Sequence, residues 1–339
     1  MTRLRVRDIL RRGMQLGVMM VILSCIPVVS MAQDRLLIVE WNVENLFDTR
    51  HDTLKNDYEF LPDGSYRWSR SRYWRKLNRV GQTIAACGEQ TSTMPHLIGI
   101  CEVENDTVLF DLTKRSLLRK ARYEYVMTSS PDQRGIDVAL LYSPFAFQLM
   151  ESRSIRIEPL PDMRPTRDIL YVKGRLLNDD SLHVFVVHAP SRSGGERATR
   201  KNRIHVAECL MSVVDSIRND SPAAKIVIMG DFNDYTSSPS LVYLCGNGFV
   251  DVSAGAHGNN GAQGTYRYRG EWGSLDHILL SESLVSQRDS CFVLDTPFLL
   301  QEDEKYGGVK PRRNYLGPRY LNGYSDHLPL VLHLRVRRE

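Results

Sequence analysis

Net charge is what this chain has least of once its first 32 residues are set aside. That leader holds five arginines and one aspartate out of totals of 44 basic and 40 acidic residues, so 39 of each remain. A neutral body excludes tight, non-specific polyanion binding by global charge, and any hold on phosphate has to be local. Cysteine is also sparse, six in 339 residues, with Cys25 in the leader. Cys87, Cys101, Cys209, Cys245 and Cys291 are far apart, odd in number and without a C-x-x-C pair. That argues against a disulfide framework or a structural zinc site. Residues 33–339 contain no repeat and no low-complexity linker, so they read as one domain.

What the leader does contain is directional. Arg3, Arg5, Arg7, Arg11 and Arg12 precede an uncharged stretch from Gly13 to Met31, ending in Pro27 and Ser30-Met31-Ala32. A basic start, an apolar middle and small residues at the end are the pattern of a secretory signal peptide cut after Ala32. The expectation is a periplasmic or secreted protein. An uncleaved anchor is the competing reading. Leu23-Ser24-Cys25 matches a lipoprotein site only in part, so membrane attachment is expected only if Cys25 is lipidated.

In the body, four apolar runs each stop at residues suited to phosphoester chemistry. Leu36-Leu37-Ile38-Val39 leads to Glu40-Trp41-Asn42, and His96-Leu97-Ile98-Gly99-Ile100-Cys101 to Glu102. Val184-Phe185-Val186-Val187 ends at His188, and Ile226-Val227-Ile228-Met229 at Gly230-Asp231-Phe232-Asn233. Such runs read as strands buried on both faces, and α/β proteins place sites beyond strand ends. Leu275-Asp276-His277 and Ser325-Asp326-His327 add to the same polar rim. Apolar spacing predicts helices over 70–87, 106–119 and 196–218. Hairpin-like strands fall at 123–127, 136–142, 147–157 and 169–177, and 303–323 reads as a long loop. Strand–helix alternation at both ends with hairpins between predicts two packed sheets flanked by helices.

Hydrolysis of a phosphoester needs a hard cation on the phosphoryl oxygens, a placed water, and control of charge on the leaving oxygen. Carboxylate and amide oxygens suit Mg²⁺ or Mn²⁺, and the rim offers Glu102, Asp231, Asp326, Asn42 and Asn233. His188 and His327 supply donors or acid–base groups, with Asp276 suited to orienting His327. Taken singly, each has a plainer reading. Asn42 and Asp231 suit turns, Glu102 a helix cap, and His188 a buried, bonded histidine. Their order along the chain favours the site.

The motifs Trp41-Asn42-Val43-Glu44-Asn45, Cys101-Glu102-Val103-Glu104 and Asp137-Val138-Ala139-Leu140-Leu141-Tyr142 open a wider resemblance. It continues through His188-Ala189-Pro190-Ser191-Arg192, Gly230-Asp231-Phe232-Asn233-Asp234, Leu275-Asp276-His277-Ile278 and Ser325-Asp326-His327-Leu328-Pro329. Over about residues 36–336 the chain resembles the endonuclease/exonuclease/phosphatase superfamily. The resemblance implies an α/β four-layer sandwich of two mixed β-sheets flanked by α-helices. It implies Glu102, Asn42 and Asp326 on the metal side, with Mg²⁺ or Mn²⁺ as cofactor. It makes Asp231 the base, Asn233 its neighbour in orienting water and phosphate, His188 a phosphate donor, and Asp276–His327 a pair that stabilises the transition state. Tyr142 matches a tyrosine that bonds the phosphate in repair enzymes of the group.

The expected activity is an exported, divalent-metal-dependent phosphodiesterase, a nuclease acting on DNA or RNA. Asp276-His277 stands where the inositol-phosphatase branch has an Asp-Arg pair, which argues against that substrate. Arg192, Arg312, Arg313 and Arg319 are candidates for a local basic groove, and Tyr266, Tyr268 and Trp272 for a stacking rim or for plain packing. The alternatives are a hydrolase of lipid head groups or small phosphomonoesters, and a binding protein that kept the fold without the chemistry. Nucleic acid is the expected partner, with no stable protein partner implied and a monomer expected.

Overall fold

A computed structural model describes residues 35–336, and the signal-peptide expectation for 1–32 lies outside them. Twelve strands form two six-stranded sheets. They are β1 (Arg35–Leu46), β2 (Leu97–Val103), β3 (Glu124–Met127), β4 (Asp137–Tyr142), β5 (Phe147–Ile155) and β6 (Ile169–Leu176). Then come β7 (Ser181–His188), β8 (Lys225–Asp231), β9 (Phe249–Asp251), β10 (Asp276–Ser281), β11 (Arg288–Val293) and β12 (Leu330–Arg335). The first sheet runs β11-β12-β1-β2-β4-β3 and the second β5-β6-β7-β8-β10-β9. Each has one parallel pair at its centre, β1–β2 and β7–β8, and antiparallel pairs elsewhere. The expected mixed sheets are present.

Side-chain alternation explains the layering. In β7, Val184 and Val186 join the core between the sheets, while Phe185 and Val187 join a second core beneath a helix. That helix, α3 (Glu196–Asp220), turns Val206, Ala207, Leu210 and Val214 onto the sheet. On the first sheet, α1 (Arg70–Cys87) buries Leu77, Val80 and Ile84. Ser69 caps α1 by accepting a hydrogen bond from the Arg72 amide. The helix expected over 106–119 is shorter. α2 (Asp106–Phe110) is α-helical, and a π-turn and a 3₁₀ turn follow. Thr113 and Ser116 donate to the carbonyls of Leu109 and Leu112, competition by hydroxyls that loosens a helix.

The long loop expected at 303–323 is tied down. Leu300–Glu302 pairs with Val309–Pro311, and Tyr315–Leu316 with Arg319–Tyr320. Buried Glu44 accepts from the amides of Asn314 and Tyr315, at 2.6 and 3.1 Å. Among the described residues no helix is long and apolar enough to cross a membrane.

Gly174 in β6 shows how tightly the outer hairpin packs. The Phe147 ring lies where a Cβ on Gly174 would sit, and Phe147 is itself buried. Gly174→Ala therefore overpacks the β5–β6 pair, and a loss of about 1–3 kcal/mol is expected in a urea titration. Activity at low temperature should survive, because Gly174 is remote from the strand ends that carry the polar rim.

Candidate active site

The carboxyl ends of β1, β2, β7 and β8 point to one edge of the sandwich, and the amino end of β10 meets them there. The pairing of His188 with Asp231 and of Asp276 with Asp231 fixes three site residues side by side on one sheet. The other sheet brings Asn42 opposite Cys101, beside Glu102. Ladder irregularities fall at 42–46 and at 101–103, next to the functional side chains. Glu44, Asn45, Glu102 and Asn233 all adopt left-handed φ, between 50° and 68°. Each costs on the order of 1–3 kcal/mol, which surrounding bonds must offset. Those bonds are visible: the Asn45 amide donates to Glu102 Oε2 at 2.9 Å, and the Asn233 amide to Asp231 Oδ1 at 2.8 Å.

At the centre, Asn42 Nδ2 donates to Asp231 Oδ2 at 3.0 Å, bridging the two sheets. His327 Nδ1 lies 2.7 Å from Asp276 Oδ2, and His327 Nε2 lies 4.0 Å from Asp231 Oδ2. Thr265 donates to the same Asp276 oxygen. Trp41 Nε1 donates to the His327 carbonyl at 3.0 Å, and Ser325 Oγ to the Asn42 carbonyl at 2.7 Å. His188 Nε2 stands 3.6 Å from Asp231 and 3.9 Å from Glu102. Asn233 Nδ2 donates to the Ala189 carbonyl. The Tyr266 ring lies 4.9 Å from that of His327.

Burial and like charge set the protonation. Burial first, then the Asp276 carboxylate, push Asp231 up to about 7, so its carboxyl titrates near neutrality. For His327 burial alone would lower the imidazole, but the charge and hydrogen bond of Asp276, with Asp231 and Asp326, hold it well above its ordinary value. His188 is displaced the other way, by burial and then by the Arg167 and Arg134 guanidiniums, and is a neutral imidazole. Two histidines on one rim are thus driven to opposite charge states.

On the metal side, Glu102 and Asp326 are oxygen donors, and Asp231, Asp276 and His327 bring ligand atoms within 4.8 Å of one another. The carboxylate oxygens among these are what a hard divalent cation takes, whereas a cationic His327 is not a ligand. Asn42 is tied to both sheets. Its Oδ1 accepts from the Glu44 amide, which leaves that oxygen a second lone pair, and its Nδ2 donates to Asp231. Asp326 Oδ2 is paired with Arg313 at 3.0 Å.

Tyr142 is not brought to the site. β4 runs antiparallel to β2, so Asp137 pairs with Val103 at the rim while Tyr142 pairs with Leu97 at the opposite end. Five residues of strand separate Leu97 from Glu102, about 16 Å. Tyr142 instead packs edge-on to Phe147 in the core.

With these positions in hand, the kinship is decided by sequence. The profile of the Endonuclease/Exonuclease/phosphatase family matches residues 37–336. The chain belongs to that family. Endonuclease/exonuclease/phosphatase proteins of known structure share its fold at low identity. One from Bacteroides thetaiotaomicron is 17% identical, with TM-score 0.58, covering 90% of this chain and 99% of that one. The mannosyl-6-phosphatase of Bacteroides thetaiotaomicron is also 17% identical, TM-score 0.58, covering 88% and 98%. The human Nocturnin catalytic domain with bound sulfate is 15% identical, TM-score 0.54, covering 89% and 94%. No curated protein matches the chain. Membership in the endonuclease/exonuclease/phosphatase family makes the chain a phosphoester hydrolase by kinship, and the four-layer arrangement agrees with it.

Three features of the site escaped the sequence. Glu40 is fully buried beside Asp276 and Asp231, its two carboxyl oxygens without a hydrogen-bond partner. Burial and those two carboxylates hold it well above the ordinary carboxylate range. Lys76 of α1 is buried, donates to the Tyr324 carbonyl, and faces Glu44, Asp326 and Glu102. Arg134 stands beside Glu102, its Nη2 3.4 Å from Oε1. A charged residue ending an apolar run is the only signal for Glu40, and Lys76 lies on a helix whose apolar spacing gives no sign of a buried cation.

Proposed function

We propose that the chain is a divalent-metal-dependent phosphoester hydrolase whose base is Asp231. The observation that carries this is the buried Asn42–Asp231 and Asp276–His327 arrangement, with one carboxyl poised near neutrality beside a cationic histidine. Asn42 and the Asn233 amide hold Asp231 to receive the proton of an attacking water. His327, kept cationic by Asp276, donates toward a phosphoryl oxygen, and neutral His188 offers a second contact. Glu102 and Asp326 would hold a hard cation, which would supply neutralisation of phosphoryl charge.

For the substrate, a nucleic-acid phosphodiester is the first reading, supported by exposed Tyr268 and Tyr235, and by partly exposed Trp272 and Tyr266, the last with its ring against His327. A phosphomonoester is the second, and one observation favours it. Arg192 and Arg313, two of the four arginines expected to form a polyanion groove, are ion-paired with Asp234 and with Asp326. The mannosyl-6-phosphatase fold relative belongs with that reading. Export, from the leader, makes either substrate extracytoplasmic.

Purified protein should lose activity in chelator and regain it with Mg²⁺ or Mn²⁺. A panel of plasmid DNA, RNA, sphingomyelin and a sugar phosphate separates the readings. Cleaved nucleic acid supports the first, and an intact polymer beside a hydrolysed sugar phosphate supports the second. Full activity in excess chelator on every substrate would sink the metal-dependent scheme.

A further inference from the structure

Several arginines surround the rim, and their partners differ. Arg167 spends its N–H groups on the carbonyls of His188 and Ala189 and on Asp132, and its side chain is 9% exposed. Arg192 donates to the Asn233 carbonyl, pairs with Asp234 and stacks over Tyr235. Arg313 pairs with Asp326 at 3.0 Å and stands 3.7 Å from Glu44. These three are built into the framework.

Arg134 is held more loosely. Its side chain is 41% exposed, and its contact with Glu102 is 3.4 Å, long for a charge-assisted bond. Nη1 donates to Asn45 Oδ1 at 3.0 Å. Its backbone, by contrast, is anchored. The Arg134 and Gly135 amides donate to Asp132 Oδ1, Lys55 Nζ donates to the Ser130 and Asp132 carbonyls, and Gly135 takes φ 86° against the Lys55 stem. A solvent-reachable, loosely paired guanidinium therefore sits on a fixed turn, touching the carboxylate that a cation would claim and close enough to His188 to act on its charge.

We propose that Arg134 is a phosphate-binding residue that pairs with Glu102 while the cation is absent and turns to the substrate's phosphoryl oxygens once the cation takes Glu102. This rests on the hydrolase reading above. Exchange is cheap, because a long, solvent-reachable ion pair contributes little and a planar guanidinium offers a phosphate paired donors. Cation and phosphate are then coupled. Binding the first removes a partner from Arg134 and releases it for the second.

The test compares wild type, Arg134→Gln and Arg134→Lys, with thermal melting to confirm folding. Mn²⁺ alone is titrated and followed by electron paramagnetic resonance, and inorganic phosphate is used as a competitive inhibitor. Arg134→Gln should bind Mn²⁺ about 2- to 5-fold more tightly, since the competing cation is gone. It should bind phosphate about 10-fold more weakly. Arg134→Lys should keep near-native Mn²⁺ affinity and recover phosphate binding only in part. Unchanged Mn²⁺ and phosphate affinities in Arg134→Gln would overturn the proposal. So would weaker binding of both, the mark of a residue that merely positions Glu102. A wild type that binds no Mn²⁺ and hydrolyses nothing fails the hydrolase reading itself, and this inference with it.

Discussion

Asp231→Asn should cut kcat by on the order of 100- to 1000-fold while leaving the fold intact. Asp231 is buried, its two oxygens accept from the Asn233 amide and Asn42 Nδ2, and its pairing with Asp276 across the ladder puts two carboxylates together. An asparagine keeps the shape but cannot take a proton, and its own NH₂ must face one of those two donors. That mismatch costs stability, whereas loss of the charge beside Asp276 restores some. The midpoint of urea unfolding should move little, and the loss should appear in kcat with Mn²⁺ binding retained. A variant as active as wild type would remove Asp231 from the role of base.

The largest change in stability is expected at Asp234, one residue beyond the Gly-Asp-Phe-Asn motif. It is fully buried and joins four partners. Arg203 Nε lies 2.8 Å and Arg192 Nη2 3.1 Å from Oδ1, Ser240 donates to Oδ2, and the carbonyl accepts from His277 Nε2. Arg203 is buried too, with Glu196 at 3.5 Å as its other carboxylate. Asp234→Asn strands that guanidinium without its near counter-charge, and a cost of about 3–5 kcal/mol is expected from chemical denaturation. Arg203→Met in the same background should recover much of the loss, because no buried cation is then left unpaired. If Asp234→Asn alone is neutral, the pair is not a support of the motif loop.

Strand endings carried most of the site in readable form. Asn42, Glu102, His188 and Asp231 each follow an apolar run, and parallel neighbours deliver such endings to one edge, so their convergence follows from direction alone. Asp276 and His327 were paired correctly because an acid beside a histidine has a definite chemical use. Tyr142 failed for the same reason the others succeeded: β4 runs the opposite way, so its carboxyl end is the far end. Direction also hid Arg134, which precedes β4 and is delivered to the rim by its amino end. Arg313 looked like a free surface cation, but the turn that carries it is pulled inward by Glu44, a contact 270 residues apart that no local pattern encodes. Registers and such long-range ties arise only when both sheets are packed.

The bond from Asn42 to Asp231 spans the gap between the sheets, and the same gap is filled deeper down by Met229 lying against Gly99. Met229 reaches so close that a Cβ on Gly99 would stand 2.9 Å from its methyl group. The thickness of the apolar interior is thereby a dimension of the reacting groups. A methyl added or removed two strand residues below the rim should therefore alter the span between Asp231 and Asn42. In this molecule the core serves as a gauge block for the rim, its spacing set by residues that no substrate can touch.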